Sequence, residues 1–158
     1  MNDDESQRGY IFGDKNIFAI EADQKYQSSD DWVKFRFWIQ GQPIGKMFDS
    51  DSPGVILANL KFRTTEEGRP VNCECFSSVI DNVDINSKKY SPHLLFICAE
   101  SFDDYIIMCC MSEDVLKFSW RVVDSPYFEY EESDFEVKHG VVSYSYFISV
   151  VEQFERTF

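Results

Sequence analysis

Six carboxylates and four aromatic rings, with no base among them, fall within DSPYFEYEESDFE, residues 124–136. Acids packed this closely can serve several kinds of chemistry. Two carboxylates a few ångströms apart can share general acid and base work on a glycoside, and a chain with 28 acids brings some pairs together by chance alone. A calcium loop needs oxygen ligands at alternating positions around a glycine, whereas this stretch has no glycine and has bulky rings where the backbone would have to bend. A solvated loop would use the charges for solubility only. A protein-binding surface would use both kinds of side chain: rings supply buried contact area, and acids steer a basic partner and enforce specificity. Spaced negative charge beside flat rings also imitates a nucleic-acid backbone. On this reading Tyr127, Phe128 and Tyr130 are the anchors, and Asp124, Glu129, Glu131, Glu132 and Asp134 meet lysine or arginine on the partner.

Other reactive groups form no comparable set. Cys73-Glu74-Cys75 has a one-residue gap and no second pair, while His93 and His139 come without a third ligand, so no zinc pattern is met. No G-x-S-x-G elbow is present, and GYIFGDKN lacks the Gly-Lys-Ser/Thr of a phosphate loop. The expectation is a protein with no catalytic residues, no metal and no cofactor.

The elements that must carry the acidic stretch can be read from hydrophobic periodicity. In WVKFRFWIQ, Val33, Phe35, Phe37 and Ile39 alternate with Trp32, Lys34, Arg36 and Trp38, giving a strand with one apolar and one mixed face. GQP turns the chain into PIGKMF, so residues 32–48 read as a hairpin. A short strand over 17–22 precedes it, and order begins near Tyr10. Ser52 then caps a helix that starts at Pro53 and runs to about Thr64. LLFICAE and DYIIMCCM are continuous apolar runs of the kind covered on both faces, while DVLKFSWRVV shows a wet side at Lys117, Ser119 and Arg121. FEVKHGVV is a final strand, and SYSYFISVVEQFERTF has helical spacing, although Val142, Tyr144 and Tyr146 also alternate as a strand would. The class is α+β: a mostly antiparallel sheet with an N-terminal hairpin, one helix after it and a C-terminal helix.

Length and composition fit one domain over residues 10–158, preceded by a disordered acidic tail at 1–9. With 44% apolar residues the chain should fold, despite a net charge of −13 that repels nucleic acid and anionic lipid. The N-terminus has acids where a secretory signal needs bases, and no apolar run is long enough for a membrane span, so a cytoplasmic protein is expected. Five cysteines, three of them in apolar runs, read as free thiols, and structural disulfides are not expected.

IFGDKNIFAIE, followed by Trp32, Phe35, Phe37, Trp38, Ile39, Gly41, Ile44 and Gly45 and then an Asp-rich connection into a Leu-containing helix, resembles immunity-protein family forty-two of bacterial polymorphic toxin and contact-dependent inhibition systems. The likeness is clearest over residues 11–60. It implies an α+β protein that binds and neutralises the toxin domain encoded beside it. The shared Trp, Gly and Ile positions mark a hairpin and its core face, and they do not locate the toxin site. Many toxins of such systems are nucleases, whose clefts are positive, so the expected partner is a basic toxin C-terminal domain. The acidic clusters Asp30-Asp31, Asp49-Asp51 and Asp103-Asp104 are alternative faces for it. A rival from another class is a small enzyme or ligand-binding domain with a carboxylate-lined pocket, which would show perturbed titrating groups in a concavity, where the inhibitor reading expects a convex or flat acidic face and no turnover.

Overall fold

The structure is a computed structural model and describes residues 9–61, 94–95 and 99–158. Most of the expected tail, together with Cys73, Cys75, His93 and Cys98, lies outside the described residues.

The mixed pattern at 32–39 becomes strand β3 (Val33–Ile39), in which every second residue is buried. β1 (Tyr10–Asp14), β2 (Phe18–Ala22), β3 and β4 (Gln42–Ile44) pair in that order, all antiparallel, and the two-residue β5 (Ser50–Asp51) pairs with the start of β3. Ile39 pairs with Gln42, leaving Gln40 and Gly41 as a two-residue turn. Both have positive φ, 50° and 79°, as the right-handed twist of a tight hairpin demands.

Helix α1 (Pro53–Leu60) begins where the sequence places it: the Ser52 hydroxyl accepts the Val55 N–H, and Pro53 occupies a position whose N–H has no intrahelical use. Its expected last turn, to Thr64, falls beyond the described residues.

The second sheet runs β6 (Leu94–Leu95), β7 (Tyr105–Ser112), β8 (Val115–Val122), β9 (Lys138–Ser143), again antiparallel. Ile106 to Cys110 are buried without interruption, so β7 is covered on both faces, as its apolar run predicts. The expected wet side of β8 is a correction. Lys117 is exposed, but Ser119 and Arg121 are buried, because His139 on β9 covers the Ser119 hydroxyl and the Arg121 guanidinium turns onto the Val122 carbonyl and Asp124. A second correction concerns the thiols. Cys110 is disulfide-bonded, whereas Cys109 is a buried free thiol whose pKa burial pushes up.

The ambiguity between strand and helix near 143 resolves at Ser143, which ends β9 and whose hydroxyl accepts the Tyr146 N–H to start α2 (Tyr144–Glu155). Helix α2 buries Phe147, Val150, Val151 and Phe154. Phe147 touches Phe18 of the first sheet and Phe118 of the second, at ring centroid distances of 4.8 and 6.1 Å. A second joint is Phe37, stacked on Phe102 of the 3-10 turn Glu100–Phe102 at 4.8 Å and 11°. Each such buried ring contributes about 1.5–3 kcal/mol of transfer free energy. One core cluster therefore takes residues from both described sheets and both described helices.

β9 meets the hairpin turn end-on. The Val141 N–H donates to Gln40 Oε1, Gln42 Nε2 donates to the His139 carbonyl, and a Cβ on Gly140 would lie 2.4 Å from Ile39 Cγ2. Ile39 is itself buried, so Gly140→Ala is expected to cost about 1–3 kcal/mol by overpacking, read as a lower urea midpoint with an unchanged slope. A midpoint equal to the parent's would show that the two sheets are less closely fitted here than the contact implies.

Candidate functional site

Asp104 stands just before β7, opposite the exit of β8, where the Val123 N–H donates to its carbonyl at 2.8 Å. Only 5% of this residue is exposed, and its carboxylate is the anchor of the acidic loop. Oδ1 accepts the Tyr127 N–H at 2.8 Å, while Oδ2 accepts the Phe128 N–H at 3.1 Å and the Tyr130 hydroxyl at 3.0 Å. Charge-assisted bonds of this kind are the stronger class, and three of them fix the loop's path. Burial, then the bond to Asp104 and the surrounding negative charge, push the Tyr130 phenol well above its ordinary range, so it remains a donor.

The eight residues expected at the interface divide into two groups. Tyr130 is half-buried, with ring contacts to Phe48, Tyr105 and Phe135. Glu131 caps the 3-10 turn Glu132–Phe135 by accepting a backbone N–H, Asp134 reciprocates on the Glu131 N–H, and Asp134 also lies 3.5 Å from Lys46 Nζ. These three serve the loop itself. Asp124, Tyr127, Phe128, Glu129 and Glu132 face solvent. Tyr127 is 88% exposed although its own backbone is held, and the Phe128 ring packs against Phe48 at 4.8 Å. Asp124 lies 3.3 Å from the Arg121 guanidinium with its side chain in water, an arrangement that adds little stability.

A groove of about 400 Å³ opens beside the loop, lined by Phe48, Asp49, Glu100, Asp103, Phe128 and Tyr130, with Lys46, Ser101, Asp104 and Tyr127 completing it. Its first wall follows from the exit of β4. Gly45 at φ 101° sits where a Cβ would press on Arg36 and Phe102 at 3.2 Å, and Met47 at φ 55° bends the chain again before Phe48 and Asp49. Its second wall is held by Asp51, which is buried and accepts the Glu100 and Ser101 N–H groups at 3.0 and 2.7 Å, while the Ser101 hydroxyl donates to the Asp49 carbonyl. Burial, together with the charges of Asp51, Asp49 and Asp104, raises the pKa of Asp103. Of the three alternative clusters in the sequence, two thus converge with the loop on one groove. The third does not: Asp31 accepts the Gln27 and Ser28 N–H groups in a local turn of its own.

The sequence reading did not foresee that Asp51 and Asp104 point inward, nor that Lys46 and Phe48 belong to the site. Nothing local marks them, since their partners lie tens of residues away. Of the possible reactive pairs, Ser119 Oγ is 2.7 Å from His139 Nδ1, but Ser119 is 2% exposed and out of a substrate's reach. Among the described residues no group of three or more His, Cys, Asp and Glu side chains is placed to hold a metal, and no helix is long and apolar enough to cross a membrane.

Exposed rings among acids are the side chains with which a surface can hold a basic protein. The sequence matches the family model of immunity protein 42 over residues 10–157, and the chain belongs to that family. Its function is therefore of the immunity type, the neutralisation of a toxin, and members of such families are in general inhibitors rather than enzymes. The fold is similar to that in the crystal structure of CdiI from Burkholderia dolosa AUO158, with a TM-score of 0.58 and 17% identity, covering 94% of this chain and 100% of that one. No curated protein matches the sequence.

Proposed function

We propose that this chain acts in the cytoplasm as one domain over residues 10–158, capturing a toxin C-terminal domain with a basic substrate cleft, of nuclease type, on the acidic aromatic surface around residues 124–134. The observation that carries this reading is Tyr127: its ring is 88% exposed, yet its backbone is pinned by the buried Asp104. An exposed ring on a fixed backbone loses little entropy on binding, which is the property of a hot-spot anchor. Five acids around it, in a chain of net charge −13, speed encounter with a positive cleft above the neutral ~10⁵–10⁶ per molar per second. Charge governs capture, and the rings govern residence.

Co-purification with the untagged toxin encoded beside this gene, followed by rescue of cells expressing that toxin, tests the partner. Tyr127→Ala tests the surface: the off-rate should rise about 10–30-fold with little change in on-rate or stability. Removing Tyr127, Phe128 and Tyr130 together should abolish rescue, and unchanged affinity in that triple variant would sink the assignment of the loop.

The acidic face is grooved, with a raised Asp103, which is what the enzyme or ligand-binding reading expects and not the convex or flat face expected of an inhibitor, so turnover is what separates the two. That reading predicts turnover of a small molecule by the isolated chain, whereas neutralisation predicts none.

A further inference from the structure

The groove beside the loop draws its walls from three stretches far apart in sequence: Phe48 and Asp49 after β4, Glu100 and Asp103 before β7, and Phe128 and Tyr130 after β8. Its acids are not equivalent. Asp51, behind the walls, and Asp104, in the lining, already accept backbone or hydroxyl donors on both oxygens. The side chains of Asp49, Glu100 and Asp103 have no hydrogen-bond donor and no cation among the described residues. Lys46, the basic residue of the lining, is turned to Asp134. Burial and, after it, the neighbouring charges of Asp51, Asp49 and Asp104 raise the pKa of Asp103, the direction expected of a carboxylate without a paired cation. Beside these acids lie the rings: Phe48 and Phe128 are in contact at 4.8 Å and inclined at 44°, and Tyr130 is locked in place by its hydroxyl bond.

Resting on the reading of the chain as a toxin neutraliser, we infer that this groove receives an arginine side chain of the toxin, its guanidinium against the Phe48 and Phe128 rings and bonded to the Asp49 and Asp103 carboxylates. Charge complementarity selects a cation, and the rings select which one. A guanidinium is planar, stacks on an aromatic face and forks onto carboxylates, whereas an ammonium is a compact, strongly hydrated point charge that uses a ring face less well. A metal ion would leave the rings idle, and no metal-holding group of acids is present among the described residues. The groove's volume of about 400 Å³ accommodates a guanidinium with its aliphatic stem.

The test uses the purified full chain and N-acetyl-arginine amide as the probe, followed by amide NMR, with the lysine and norvaline amides as controls. Saturable shifts are expected from the arginine probe at residues 48–49, 103–104 and 128–130, weaker ones from lysine, and none from norvaline. Asp49→Asn with Asp103→Asn should weaken arginine binding about tenfold. Asp103→Asn alone should weaken it in the same direction without lowering the melting temperature, because the fold disfavours the ionised form of this side chain, so lost binding is distinguishable from lost structure. Shifts that do not saturate, that spread evenly over the acidic surface, or that survive in the double variant would overturn the inference. Rescue against the neighbouring toxin separates the two levels of the argument. A double variant that protects cells as well as the parent removes the arginine site and leaves the proposed function standing. A parent chain that neither binds nor rescues removes both.

Discussion

Asp104→Ala is expected to destabilise the protein by about 3 kcal/mol, because two loop amides and one phenol lose their acceptor at once. Each orphaned donor costs about 1–3 kcal/mol when it stays buried, and relaxation of an exposed loop into water recovers part of the sum. For a chain of this size the melting temperature should fall by about 6–12 °C. Asp104→Asn retains one carbonyl oxygen and should cost about half as much. Hydrogen exchange supplies the decisive measurement: the Tyr127 and Phe128 amides should exchange far faster in Asp104→Ala, while those of β7 and β8 change only with global stability. Toxin affinity should fall in parallel, since the anchor ring would no longer be held before binding. Unaltered exchange at 127 and 128 would show that the loop is fixed by something other than this carboxylate.

The largest effect on stability is expected at Phe102. Its ring is stacked on Phe37 and almost wholly buried, in the short turn that ties the second sheet to the hairpin of the first. Phe102→Ala removes that contact and leaves a cavity between the sheets, at a cost of about 3–5 kcal/mol. Phe102→Leu keeps most of the volume and should cost less than about 1.5 kcal/mol. Urea unfolding distinguishes the two, provided the slope is unchanged. The turn also carries Asp103 and Asp104, so the alanine variant should disturb the groove where the leucine variant does not. A loss below about 1 kcal/mol in Phe102→Ala would mean that the sheets are held together elsewhere.

What could be read from the sequence was whatever repeats locally. The hairpin was legible because every second residue of β3 is apolar and its turn needs a glycine, though its returning strand stops at Ile44 and not at 48, where Gly45 and Met47 bend the chain at positive φ; α1 was legible because Ser52 and Pro53 together define a helix start. The boundary between β9 and α2 was not legible, because Val142, Tyr144 and Tyr146 satisfy a two-residue period while Phe147, Val151 and Phe154 satisfy a helical one. A single hydroxyl, that of Ser143, decides it. Ser119 and Arg121 look like solvent-facing residues on β8 and are buried: the Ser119 hydroxyl meets His139 of a later strand, which no window around β8 records, and the Arg121 guanidinium turns onto the Val122 carbonyl and Asp124.

The candidate site divides in the same way. The acidic loop announces itself by composition, but composition does not tell that Tyr130, Glu131 and Asp134 are turned to the loop itself. The groove does not announce itself, because residues 46–49, 100–104 and 127–130 meet only through the pairing of β7 with β8 and the stacking of Phe37 on Phe102. Charge count alone also misranks the acids. Asp51 and Asp104 are internal hydrogen-bond acceptors, and Asp134 is a capping partner, so three of the most conspicuous carboxylates act on the protein's own backbone.

The glutamine amides lying across β9 have a consequence for assembly. With the Val141 N–H and the His139 carbonyl already engaged by Gln40 and Gln42, the outer margin of the second sheet offers no open ladder there for a foreign strand to extend. Copies stockpiled in a cell are kept from zipping to one another along that rim, and a partner must be recognised by the shape and charge of side chains.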